Sequence, residues 1–381
     1  MLFDSRPKSN SKDMYNFKEE LASLRSAIKK HEPLITIAGL RRTGKTSMLL
    51  TATTNISDPV IIVDLRTLLE LPYGSKKELI QEIERAFNIH YSRQLGIGKK
   101  LLNWLKKVRG VQISDRGLSL AWGGKEPVDL AELFDEMNSW AVKEKKHVTI
   151  AFDEAQELRK VAGVDSRKLL AHLYDYCRNI TIILTGSEVG LLYDFLGEEK
   201  EETPLFGRHI VRVSLEPLPP ERARDFLTRG FKQAKIKVSD PSILDSATER
   251  LDGIIGWLNL FGVASVEKSK PSDESIEYVA RIGKSISRKE FNNFLKDKEV
   301  ARSRYEEIMR FLASNPLSTW SLIKRSIETA EGRKISDTRF ADLLSKLVDS
   351  SFVIKYPEAT YRVADPLLAE VFTGRKKKRN S

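Results

Sequence analysis

Gly39-Leu40-Arg41-Arg42-Thr43-Gly44-Lys45-Thr46 fills every fixed position of a G-x-x-x-x-G-K-[ST] phosphate-binding loop. The loop follows an apolar run, Leu34-Ile35-Thr36-Ile37-Ala38, that reads as a buried strand, so a strand ends where the loop begins. Gly39 and Gly44 let the backbone wrap a phosphate with its N–H groups inward, and the helix that follows turns its positive end to the same anion. Nucleotide contacts are therefore expected along Gly39, Leu40, Arg41, Arg42, Thr43, Gly44, Lys45, Thr46 and Ser47. The expected ligand is ATP or ADP, and Lys45 is expected to reach the β and γ phosphates. The Thr46 hydroxyl is expected on Mg²⁺, an ion that keeps several waters and takes few protein oxygens.

A second strand pattern selects the chemistry. His147-Val148-Thr149-Ile150-Ala151-Phe152-Asp153-Glu154 is an apolar run ending in two adjacent carboxylates, the way a central strand delivers acids to the carboxyl edge of a parallel sheet. Asp153 is expected to hold Mg²⁺, directly or through water, and Glu154 to act as the general base that activates water. That second acid favours hydrolysis over transfer to a small-molecule hydroxyl. A third strand, Ile180 to Thr185, runs into Gly186-Ser187-Glu188, so Thr185 or Ser187 is placed either to sense the γ-phosphate or to serve as a turn residue or cap. Pro204-Leu205-Phe206-Gly207-Arg208 then precedes a fifth strand, His209 to Leu215. Arg208, hinged on glycine, is suited to catalysis at a phosphate in its own subunit or a neighbour's, with a plain surface arginine as the alternative.

With these motifs in this order, followed by a helical segment and a winged-helix-like end, the chain resembles the archaeal ATPase family of the AAA+/STAND group. Relatives include the origin-recognition initiator ATPases and signal-transducing NTPases. The opening, Phe3-Asp4-Ser5-Arg6-Pro7-Lys8 and then Asp13 to Leu21, resembles the family's entry segment and first helix, which the resemblance places near adenine. Two positions depart from the pattern. Phe17 stands where the family has arginine, and Gly253-Ile254-Ile255-Gly256-Trp257 carries glycine where a Gly-x-Pro signature has proline.

The expected fold class is α/β, an AAA+-like P-loop parallel sheet of five core strands, at 34–38, 60–64, 148–152, 180–185 and 210–215, with helices between them. This core spans 1–216, with an insert at about 66–146 holding a helix near 75–88, a basic stretch and a hairpin turned by Asp115-Arg116-Gly117 between Val111–Ser114 and Leu118–Trp122. A helical lid is expected over 217–300, with helices at Glu221–Phe231, Ser242–Leu251, Trp257–Val266 and Ser275–Leu295. A winged helix follows over 301–374, its third helix marked by Phe340, Leu343, Leu344 and Leu347, with a short hairpin around Pro357. Residues 375–381 read as a basic disordered tail.

Length and composition place no obstacle before a large core: 381 residues, 41% of them hydrophobic. With Cys177 as the single cysteine, no disulfide or cysteine-based metal site is expected within the chain, and the five histidines lack metal-ligand spacing. A polar opening and the absence of any apolar run near ~18 residues point to a cytoplasmic protein without membrane span.

The net charge of +11 is concentrated in two places. Arg375 to Arg379 is one; the other is Asn88 to Ser114, where Arg93, Lys99, Lys100, Lys106, Lys107 and Arg109 face no acid in sequence. Leu101, Leu105 and Val108 form one apolar face there, leaving the basic residues of 93–109 as either a solvated face or, with the tail, a DNA contact. The winged helix carries eleven basic and ten acidic residues, and Asp342 and Asp349 stand beside Arg339 and Lys346 on its candidate reading helix. Carboxylates repel phosphates, which leaves a protein partner as the other use of that domain. The expected function is a slow, Mg²⁺-dependent ATPase whose nucleotide state controls the lid and winged helix, with DNA as a candidate target; the alternative is a nucleotide-switch scaffold or DNA-binding regulator that holds ATP or ADP as a structural ligand with negligible turnover.

Overall fold

A computed structural model describes residues 1–70, 74–93, 95–114, 117–121, 123 and 127–373. The basic run 375–381, the turn residues Asp115 and Arg116, and Trp122 lie outside the described residues, as do the side chains of Arg93 and Lys99. Five strands, β1 (Leu34–Gly39), β2 (Val60–Asp64), β3 (Val148–Asp153), β4 (Ile180–Gly186) and β5 (Val211–Leu215), form one sheet in the order β2-β3-β4-β1-β5, every pairing parallel. Their sequences follow their places. The three inner strands are buried along their whole length and read as continuous apolar runs, whereas β2 at one edge alternates and β5 at the other does so in part.

Because β1 lies between β4 and β5, the chain leaving it must cross over to reach β2, and the crevice at such a reversal opens at the carboxyl ends of the strands. The register brings the expected groups to that edge: Ala38 pairs with Gly186 and Ser214, and Asp64 with Asp153.

The insert covers one face of the sheet with helices Lys76–Arg93, Leu95–Leu105 and Leu130–Glu144 and a hairpin of Val111–Ser114 with Gly117–Leu120. Asn88 pins the hairpin, donating to the Leu118 carbonyl at 2.9 Å and accepting the Leu118 N–H at 2.8 Å. Gly117, at φ +119°, passes so close that a β-carbon there would lie 2.3 Å from Asn88 Oδ1. The expected apolar face is buried at Leu101, Leu105 and Val108, but the helix ends at Leu105, and Leu102 completes the face while Val108 packs from the following turn.

On the opposite face lie the entry helix Lys18–Lys29, the P-loop helix Lys45–Thr53 and the lid helices Pro220–Gln233, Ser242–Leu251, Ile255–Glu267 and Asp273–Phe294. The last of these is 22 residues long and serves two cores. Ile276, Val279 and Ala280 pack in the lid, while Phe291, three turns on, packs with Tyr305, Phe340 and Phe352 of the winged helix. That end domain has helices Arg302–Ser314, Trp320–Glu331 and Asp337–Asp349 and a three-stranded antiparallel sheet of Ser318–Thr319, Thr360–Val363 and Val353–Lys355. Phe340, Leu343, Leu344 and Leu347 are buried as their spacing predicts, and helix Pro366–Thr373 closes the domain. Among the described residues no helix is long and apolar enough to cross a membrane.

Candidate functional site

The phosphate loop owes its shape to its two glycines. A β-carbon on Gly39 would lie 2.4 Å from the Leu215 carbonyl oxygen, and Gly44 stands at φ +100°, which side-chain-bearing residues rarely adopt. Lys45, 5% exposed, donates to the carbonyls of Gly39 at 2.9 Å and Leu40 at 2.7 Å. Burial pulls its ammonium pKa down to about 8, against the pull of Glu154 and Asp153 in the other direction. Beside it the Thr46 hydroxyl donates to Asp153 Oδ2 at 3.0 Å. Thr46 lines a cavity and Asp153 lies directly behind it; two hard oxygens so close suit Mg²⁺, and Thr46 and Asp153 are the residues that would hold it. Burial raises the Asp153 carboxyl, a cost that a bound dication would offset.

Thr185 and Ser187 divide between the two acids. Thr185 donates to Asp153 and accepts the Glu154 N–H at 3.2 Å. Ser187 engages Glu154 twice, its N–H at 3.0 Å and its hydroxyl at 2.7 Å from Oε2, and Gln156 Nε2 donates to the same oxygen at 2.7 Å. Burial pushes the Glu154 carboxyl up, but Lys45, these hydrogen bonds and Arg41 outweigh it and hold the group below the usual carboxylate range. Glu154 itself takes left-handed backbone angles, φ 58° and ψ 49°, at the strand-to-helix corner.

Lys45, Thr46 and Glu154 line an open cavity of about 330 Å³ whose far walls are the opening segment and the lid. Phe17 also lines it, left-handed at φ 46° and 5% exposed, so the family's arginine position is here an apolar wall. Gly256 of the lid donates its N–H to the Arg42 carbonyl at 3.0 Å, a bond that proline lacks the hydrogen to make. Ser47, expected on the nucleotide, has its hydroxyl accepting the Lys8 N–H at 3.0 Å.

Three expected contributors lie elsewhere or reach outward. Arg208 does not line the cavity; its guanidinium forks onto Asp175 at 3.0 and 2.7 Å. Arg41 bonds Glu188 at 2.6 Å and the Ser350 carbonyl at 3.1 Å, and its guanidinium lies over the Phe352 ring. Arg42 bonds Glu290 at 2.6 Å and lies over Trp257 at 4.3 Å, with Asp365 3.7 Å away. Of the residues that sequence reasoning passed over, Gln156 and Glu188 had one signal, a polar residue within two positions of a site residue. Glu290 and Asp365 had none.

A second group of ligand-type side chains meets outside the cavity, brought together from residues far apart in sequence. His172 Nε2 is 2.8 Å from Asp135 Oδ1, and the Cys177 thiol donates to the same oxygen at 3.4 Å. The carboxylate satisfies both neighbours, and burial raises the thiol to about 12.

Residues 14–260 match the family described as an ATPase domain predominantly from Archaea, and residues 299–364 match the MCM protein C-terminal winged helix-turn-helix domain. The Walker-type ATPase Paby2304 of Pyrococcus abyssi is 31% identical, with 98% of this chain and 99% of that one aligned at a TM-score of 0.79. The ORC2 protein of Aeropyrum pernix, in its ADPNP–ADP complexes, is 14% identical over 98% of this chain and 96% of its own, with a TM-score of 0.60, and shares the fold. No curated protein matches the sequence. Given a match over residues 14–260 and a full-length likeness at 31% identity, the chain belongs to the ATPase family found predominantly in Archaea, an AAA+-type P-loop fold with a C-terminal winged helix.

Proposed function

We propose that the chain binds ATP with Mg²⁺ and hydrolyses it slowly, and that nucleotide occupancy sets the lid (217–300) and the winged helix (301–374). One observation carries this reading: Glu154, a second acid beside the Asp153–Thr46 pair, lines the same cavity as Lys45. In this reading the loop N–H groups and Lys45 hold the phosphates, Thr46 and Asp153 hold Mg²⁺, and Glu154 takes a proton from the attacking water. Thr185 positions the metal carboxylate and Ser187 the base. The winged helix exposes Arg339, Asp342 and Lys346 to a partner, protein or DNA.

A second reading, a nucleotide switch with negligible turnover, is favoured by the three donors on Glu154 Oε2, which leave that oxygen occupied. Turnover of Glu154→Gln separates the two. The amide keeps the shape and loses the base, so ATP binding by calorimetry should be unchanged while phosphate release falls by roughly 10²-fold or more. A parent protein no faster than this variant would establish the switch. In the same assay, mixing Arg208→Ala with Lys45→Ala protein restores turnover if Arg208 serves a neighbouring subunit; no recovery leaves it a role in its own subunit or its surface pairing with Asp175.

A further inference from the structure

The loop that carries Ser187 is bolted to the winged helix at three consecutive residues. Glu188 Oε1 accepts from Arg41 at 2.6 Å, and Arg41 passes on to the Ser350 carbonyl at 3.1 Å and the Phe352 ring. Val189 donates its N–H to the Ser351 hydroxyl at 3.0 Å. At Gly190 the two backbones meet so closely that a β-carbon would lie 2.5 Å from Asp349 Cα. The turn at 349–352, where the third helix of the winged helix ends, thus sits on the loop after β4, while Arg339, Asp342 and Lys346 on the same helix stay exposed.

We infer that this winged-helix turn is a positioning element for Glu154: docked, it fixes the loop so that Ser187 keeps both its donors on the carboxylate, and undocking frees the base. The inference rests on the ATPase reading above. Its chemistry is that of any general base. A carboxylate oxygen that already accepts three hydrogen bonds is occupied and held in one orientation, whereas a base in turnover must accept from water. Arg41 completes the arrangement from the nucleotide side. It belongs to the phosphate loop, so one guanidinium spans loop, Glu188 and winged helix, and a partner that draws the winged helix away loosens all three.

The geometry supplies its own wedge. Gly190→Ala adds a methyl against the Asp349 backbone, on a helix where alanine is otherwise favoured, and touches no residue of the cavity. Ser351→Asp removes the hydroxyl from Val189 and adds a charge of the same sign as Glu188. In the full chain, both variants should raise kcat for ATP about fivefold or more, the lower end of ordinary coupling between sites, with the Kd for ADP within about twofold of the parent. Hydrogen exchange at Val189 and Ser351 should quicken in parallel. Either variant leaving kcat unchanged or lowering it overturns the inference, as does a Kd that moves by the same factor as kcat. Failure of both to fold would make the contact part of a single core and would overturn it too. Lys45→Ala and Glu154→Gln in the same assay keep the two readings apart: if Lys45→Ala still binds ADP or Glu154→Gln keeps full turnover, the ATPase reading itself has failed. If both behave as proposed while Gly190→Ala does nothing, only the winged-helix inference falls.

Discussion

Lys45 shows how much a single buried charge is asked to do. Its ammonium donates to the Gly39 and Leu40 carbonyls, and burial lowers its pKa from 10.5 to about 8. A phosphate bound there would add to the negative charge of Glu154 and Asp153, so binding would favour the protonated lysine. The direction follows. Below about pH 8 the ammonium is already charged and ADP affinity should be flat with pH; above it a proton must be taken up on binding, and affinity should fall by up to about tenfold per pH unit. Calorimetry of ADP binding between pH 7 and 9.5, in two buffers of different ionisation enthalpy, measures both the fall and the proton uptake. A flat affinity across that range would mean that Lys45 is not the group the phosphates meet.

At the scale of elements, the sheet and the helices were legible because burial leaves a periodic trace. The inner strands read as unbroken apolar runs and the third helix of the winged helix by Phe340, Leu343, Leu344 and Leu347. The P-loop and the acid pair were legible as motifs, since each packs its chemistry into a few adjacent residues. The partners of Arg41 and Arg42 were not, because Glu290 and Ser350 lie more than two hundred residues away and a single long-range contact leaves no period. The surroundings of the basic stretch were hidden for the same reason. Its acids are absent from the segment but present across a helix boundary, where Lys100 meets Glu144 at 3.2 Å and Lys107 meets Glu136 at 2.6 Å. Lys107 and Lys143 also lie over the Trp104 ring. Charges engaged in this way release few counterions on meeting DNA. Replacing Lys100 and Lys107 by glutamine should therefore leave the slope of log affinity against log salt for duplex DNA within about half a unit of the parent, where two true phosphate contacts would remove nearly two. A loss of that larger size would return the stretch to a nucleic-acid role, and no binding at low salt would leave the winged helix to a protein partner.

At the scale of the whole molecule, one side of the P-loop cavity is walled by a strap, residues 2–8, that ties the lid to the P-loop helix. Leu2 donates its N–H to Gln233 at 2.6 Å, Asn259 holds the Asp4 backbone through both its N–H and its carbonyl, and Lys8 reaches Ser47 and Thr51. Phe3 locks it. The ring packs edge-on to Phe226 and Phe231, over Gly230 and Gly262, two helix positions where a β-carbon would lie within 2.4 Å of it. Since Leu2, Asp4 and Pro7 wall the cavity, a bound nucleotide can leave on that side only if the strap lifts. The lock is modest in energy, one aromatic side chain at 8% exposure and a handful of backbone hydrogen bonds, so Phe3→Ala should cost about 3 kcal/mol of local contact and leave the sheet intact. Release of a fluorescent ADP analogue, followed by stopped flow, should quicken about tenfold or more while the association rate changes little, since differences of this kind appear chiefly in dissociation. Asn259→Ala, which severs the strap without opening the aromatic cluster, should act in the same direction to a smaller degree. If both variants release ADP at the parental rate, the strap is not the gate, and exchange must run instead through movement of the lid against the P-loop at Gly256 and Arg42.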